Sequence, residues 1–96
     1  MVTLKSSKLV PLGRQVEITV TASGAIPRDE VYKALSRHAN RDWGDLGKIA
    51  WIRNDLAHAV NVGRLLSSYQ SQRGIRFWII TESDRSATLV LLPLEY

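Results

Sequence analysis

Hydrophobic and polar residues alternate along Gln15–Thr21, with Val16, Ile18 and Val20 on one side and Glu17, Thr19 and Thr21 on the other. That period of two predicts a half-buried strand, ended by Ser23-Gly24. From Pro27 the period becomes helical, and Val31, Ala34, Leu35 and His38 share one face. Pro27 suits a first helical position, and Asp29 and Glu30 fall in the first turn, where the helix dipole favours negative charge. This helix is expected to fade near Asn40. A second helix is predicted over Gly47–Asn61, with Asp45 as N-cap and Gly63 as terminator. Its apolar face, Ile49, Ile52, Leu56 and Val60, is expected to turn inward, leaving Trp51, His58 and Val62 on the outer side.

Three short strands follow, over Arg64–Tyr69, Arg76–Glu82 and Ala87–Leu92, joined by Ser71–Gly74 and Ser83–Ser86, which are short enough for hairpins. The run Leu89–Leu92 is apolar on both faces, as in a covered strand, and Pro93 ends it. The predicted fold class is α+β in the order β-α-α-β-β-β, with two helices packed on one face of a mainly antiparallel sheet. Residues 1–96 are read as a single domain, with residues 1–14 as a loose N-terminal arm.

Composition narrows the chemistry. The chain has no cysteine, so disulfides, thiolate metal sites and thiol nucleophiles are excluded. No apolar run reaches the ~20 residues a membrane-spanning helix needs, and the N-terminus lacks the apolar core of a signal peptide, so the expected location is cytoplasmic. The formal net charge of +4 lies in the first half. Residues 1–41 carry seven Lys or Arg against three acids, while residues 42–96 carry six of each. An anionic partner is therefore expected to meet the first half.

Within that half, Lys33, Arg37 and Arg41 stand at helical spacing and read as one basic stripe, suited to an acidic protein surface, to phosphates or simply to solvent. Trp51 and His58 on the outer side of the second helix read as interface anchors. Trp43, in Asp42-Trp43-Gly44-Asp45, reads as a plug over the sheet edge or helix ends, with Asp42 and Asp45 as caps. His38 or His58 with Tyr69, Arg76, Glu82 and Arg85 is the best acid–base set, but no spacing forces these residues together. His38 on an apolar stripe reads as a packed, hydrogen-bonded histidine, and Thr81–Ser86 as a structural hairpin. No metal or cofactor site is expected: the two histidines are twenty residues apart, and the glycines form no phosphate-cradling loop.

The segments Arg37–Leu46, Gly63–Tyr69 and Trp78–Thr88, with Leu92-Pro93-Leu94-Glu95-Tyr96, resemble a family of small bacterial proteins carried on plasmids, prophages and other mobile elements. Some members bear the label of type I restriction subunits. The resemblance spans residues 34–96 and is most specific in Asp42–Leu46 and Trp78–Ser86. Family members begin the second helix with acidic residues, whereas this chain has Gly47-Lys48-Ile49-Ala50-Trp51. The resemblance implies a setting in mobile elements and host defence, and it supplies no catalytic residues.

The expectation is thus a non-enzymatic binding protein, an anti-defence or anti-CRISPR inhibitor. It would dock on a host protein complex of the CRISPR–Cas or restriction kind through Lys33, Arg37, Arg41, Trp51 and His58, as a monomer or homodimer. Two other readings stand beside it: an endoribonuclease toxin, and a small regulator binding nucleic acid through the basic first helix.

Overall fold

The computed structural model describes residues 9–96. Their element order is β1 (Gln15–Ile18), α1 (Val20–Ala25), α2 (Arg28–Ala39), α3 (Lys48–Val60), β2 (Leu65–Gln70), β3 (Arg76–Thr81) and β4 (Ala87–Leu91), followed by a 3₁₀ turn at Pro93–Glu95. The four strands form one mixed, mostly antiparallel sheet in the order β1-β4-β3-β2. The two predicted hairpins form, pairing β2 with β3 and β3 with β4 antiparallel, while β1 lies parallel to β4 with Ile18 beside Val90.

The first strand is shorter than its alternation suggested. Thr19 leaves the sheet and caps a helix, its hydroxyl accepting from the Ala22 N–H at 3.1 Å. The chain therefore contains a third helix, α1, which the period-two pattern concealed. The N-terminal segment is also better packed than expected from residue 9 onward. Val10 is buried and donates its N–H to the Ala39 carbonyl at 2.8 Å, and the Leu12 carbonyl accepts from the Thr88 hydroxyl at 2.8 Å. Residues 1–8 of the expected arm lie outside the described residues.

The main core lies between α2 and one face of the sheet. Ile26, Val31 and Ala34 meet Tyr69, Phe77, Ile79 and Val90, with Ile18 and Leu35 at its margin. This is the inner face that helical spacing predicted for α2. A buried polar chain runs beside it. His38 Nδ1 lies 2.6 Å from the Ser67 hydroxyl and Nε2 lies 2.9 Å from that of Thr81, which is 2.8 Å from that of Thr88. Proton counting assigns every donor. Thr88 spends its proton on the Leu12 carbonyl, so Thr81 donates to Thr88 and Nε2–H donates to Thr81. Nδ1 then accepts from Ser67. Burial holds the imidazole neutral, lowering its pKa from 6.5 to about 4.

The α3 helix departs from expectation. Its inward side is Trp51, Asn54 and Ala57, not the aliphatic stripe: Trp51 and Ala57 pack on a second cluster of Val10, Trp43 and Leu65. Ile49, Ile52, Leu56 and Val60 are instead 70%, 51%, 60% and 63% exposed. What orients the helix is polar. Asn54 Nδ2 donates to the Leu66 carbonyl at 2.5 Å, and its Oδ1 accepts the Leu66 N–H at 3.2 Å. The carboxamide thus pairs with β2 as a neighbouring strand would, covering part of an edge that would otherwise recruit other chains.

At Ser68 that edge is covered by the Trp43 loop, as its reading as an edge plug anticipated. Ser68 N–H donates to the Trp43 carbonyl at 3.1 Å, and Asp45 N–H donates to the Ser68 carbonyl at 2.7 Å. Gly44 sits between them with φ +75°, where an added Cβ would lie 2.1 Å from the Ser68 carbonyl oxygen, so glycine is required there. Asp45 is not the cap of α3: Gly47 holds the N-cap position, and Asp45 pairs with Arg76 at 2.7 Å. The helix ends at Asn61, left-handed at φ 58°, ahead of the expected Gly63.

Candidate functional site

The end of α2 decides where the basic residues point. Asp42 N–H donates to the Arg37 carbonyl at 2.8 Å and Arg41 N–H to the His38 carbonyl at 3.0 Å, closing the helix with Arg41 left-handed at φ 66°. Arg41 is therefore not the third member of a helical stripe. Lys33 and Arg37 remain on the exposed side of α2, above Tyr69 and Phe77. Arg37 grips Asp42 through two bonds, of 2.7 and 3.2 Å, and its guanidinium carbon lies 4.6 Å from the Tyr69 ring centroid. That pair holds the Asp42 carboxyl below its usual range and raises Arg37. A guanidinium so engaged has less to offer a phosphate.

Arg41 instead joins Trp51 and His58. A cleft of about 940 Å³ opens between the end of α2, one side of α3 and residues 9–11. Arg41, Trp51, Asp55 and His58 line it, with Asn40 and Asn61 at the two helix ends and Ala59, Leu9 and Pro11 completing the wall. Three of the five residues singled out in the sequence thus come together, from two helices, while Lys33 and Arg37 do not join them. Trp51 is half-buried, not free on an outer face: one part packs on the Val10–Trp43–Leu65 cluster, and another lines the cleft. Asp55 accepts the Trp43 indole N–H at 2.9 Å, so this wall is braced from behind.

Of the three non-glycine residues with left-handed backbones among the described residues, Arg41 and Asn61 line this cleft. Both close their helices, so the turns that end α2 and α3 frame the cleft. A cleft of this size, with one aromatic wall and a rim of guanidinium, imidazole, carboxylate and amide groups, suits a side-chain anchor with an apolar body and a polar end.

Four members of the alternative acid–base set are engaged in structural contacts, while His58 lines the cleft and Glu82 is exposed at the β3–β4 hairpin. His38 is fully buried in its hydroxyl chain. Tyr69 donates its phenol to the Asp42 carbonyl at 2.6 Å, and burial pushes its pKa up to about 12. Arg76 pairs with Asp45. Arg85 sends Nη1 to the carbonyls of Gly63, Glu82 and Ser83 at 2.6, 3.1 and 3.1 Å and Nη2 to that of Ala57 at 3.2 Å. It pins the β3–β4 hairpin to the carbonyl end of α3, where a cation is favoured by the helix dipole. Among the described residues, no group of three or more His, Asp or Glu side chains is placed to hold a metal, and no helix is long and apolar enough to cross a membrane.

Asn54 and Asp55 are the residues the sequence reading missed. Their signal is a polar pair in the middle of a helix, which periodicity treats as solvent-facing. No protein-family model matches the chain, and neither a curated protein nor a solved structure is detectably similar to it.

Proposed function

We propose that this is a non-enzymatic binding protein that docks on a host protein complex by receiving a partner side chain in the cleft between α2 and α3. The observation that carries the reading is the convergence of Arg41, Trp51, Asp55 and His58 on that cleft. A half-buried tryptophan beside a guanidinium is the composition that interface hot spots favour. The biological setting comes from the mobile-element resemblance: the partner is a defence complex of the CRISPR–Cas or restriction kind, and docking blocks it sterically. Arg37, engaged by Asp42 and Tyr69, makes the phosphate-tracking reading of α2 the weaker one.

The test is a tagged pull-down from bacterial lysate containing such complexes, with and without nuclease, using the natural chain and two cleft variants. Ala59→Trp fills the cleft from an exposed helical position, and Arg41→Gly removes the guanidinium where glycine suits the backbone. A stoichiometric protein partner that survives nuclease and is lost with both variants, at unchanged melting temperature, supports the proposal. Recovery of nucleic acid alone, or full retention of the partner by both variants, overturns it.

A further inference from the structure

We infer that the outer face of α3 is a self-association surface, on which a second copy of this chain packs its own α3 antiparallel. This goes beyond the cleft reading and does not rest on it: none of the stripe residues lines the cleft, although Ala59, three residues after Leu56, borders both.

Ile49, Ile52, Leu56 and Val60 form one apolar stripe, at 70%, 51%, 60% and 63% exposure, and Val62 just past the helix cap is 65% exposed. Exposed aliphatics scattered singly need no explanation, but a continuous helical seam does. The spacing of three, four and four residues is that of a narrow seam made to meet another helix.

The stripe also matches itself. Ile52 and Leu56 stand two residues either side of Asn54, and Ile49 and Val60 stand five before and six after it. A two-fold axis near Asn54 lays Ile52 of one copy over Leu56 of the other, and Ile49 over Val60. Such a surface is self-complementary, as an isologous interface must be. The four stripe positions carry no charge, and Arg53, four residues after Ile49 and three before Leu56, lies on their flank. Asn54 is turned away, held to Leu66, so the interface leaves it undisturbed.

The area sets the strength. The four stripe side chains, all more than half exposed, offer roughly 350–450 Å² per copy, hence roughly 700–900 Å² for a pair, in the range of weak, transient interfaces. The expected dimer is therefore weak, with Kd roughly 10–100 μM. Arg53 borders the stripe. In an antiparallel pair the same flanks meet, which brings the two Arg53 side chains near the axis. Added salt screens them and tightens the dimer, opposite in sign to docking on an acidic partner.

Sedimentation of the full chain from about 5 to 500 μM reads the association directly. The expected result is a monomer–dimer equilibrium that salt strengthens and that Leu56→Asp weakens at least tenfold, with the melting temperature of the dilute monomer unchanged. Because the chain has no cysteine, register is read by disulfide trapping. An oxidised mixture of Ile52→Cys and Leu56→Cys chains should cross-link faster than either variant alone. A natural chain that stays monomeric across the range overturns the inference, as does a dimer indifferent to Leu56→Asp or a variant that cross-links faster with itself. A monomeric natural chain that loses a captured protein on Leu56→Asp also overturns it, assigning the face to that protein while leaving the cleft variants to test the cleft.

Discussion

Helices α2 and α3 are nearly equal in length, at 12 and 13 residues, and both present an aliphatic stripe in the sequence. In α2 the stripe is buried: Val31, Ala34 and His38 lie against the sheet, and the opposite side carries Lys33 and Arg37. In α3 the stripe faces solvent, and a tryptophan, an asparagine and an alanine face inward. Periodicity marks the side of a helix that prefers to leave water, without naming what covers it. For α2 the cover is within the chain. For α3, two hydrogen bonds from Asn54 to the edge of β2 and the packing of Trp51 set the rotation, and the aliphatic side is left exposed.

The sharpest test of this contrast is at the buried end of α2. His38→Ala removes the centre of the hydroxyl chain and opens a cavity, leaving Ser67 and Thr81 short of partners. It should cost about 3–5 kcal/mol in urea unfolding. A loss below about 1 kcal/mol would break the account of that core.

Acidification probes the same residue without mutation. Well above pH 6.5 the imidazole is neutral in both states and its contribution is complete. As pH falls from 6.5 toward 4, the unfolded chain binds a proton that the folded chain refuses, so stability declines through that window. The decline reaches about 2 kcal/mol by pH 5, above the range in which ordinary carboxylates titrate, and should be absent in His38→Phe.

On α3 the decisive residue is Asn54. Asn54→Leu fits a helix but leaves the Leu66 N–H and carbonyl unpaired, and should cost about 2 kcal/mol. It should also raise aggregation, because part of the β2 edge is freed. Thermal melting and light scattering report the two effects separately.

The smallest effect belongs to the exposed stripe. Ile52→Ala should shift the stability of the dilute monomer by no more than about 0.5 kcal/mol, whereas Val31→Ala in α2 should cost about 1–3 kcal/mol. Equal costs for the two would mean that the α3 stripe is covered within the chain, collapsing the comparison.

Much of this was written in local sequence. Pro27 with Asp29 and Glu30 placed the start of α2, the Ser71–Gly74 and Ser83–Ser86 turns placed the hairpins, and the short segments on either side of those turns placed β2 to β4 within a residue or two. These features rest on interactions among near neighbours, so a single sequence contains their causes. Thr19 was misread because a threonine suits a strand and a helix cap equally well, and only the continuation of the chain selects between them. In the candidate site, Arg41, Trp51 and His58 were legible as residues, though their meeting place was not.

What the tertiary structure alone decided is which distant groups share a space. The parallel pairing of β1 with β4, the hydroxyl chain from Ser67 to Leu12 and the Asn54 clasp on Leu66 each join segments far apart in sequence. Their geometry is set by how whole layers pack, which no local period encodes. The same packing turned Arg41 out of its stripe into the cleft and left the aliphatic side of α3 in water.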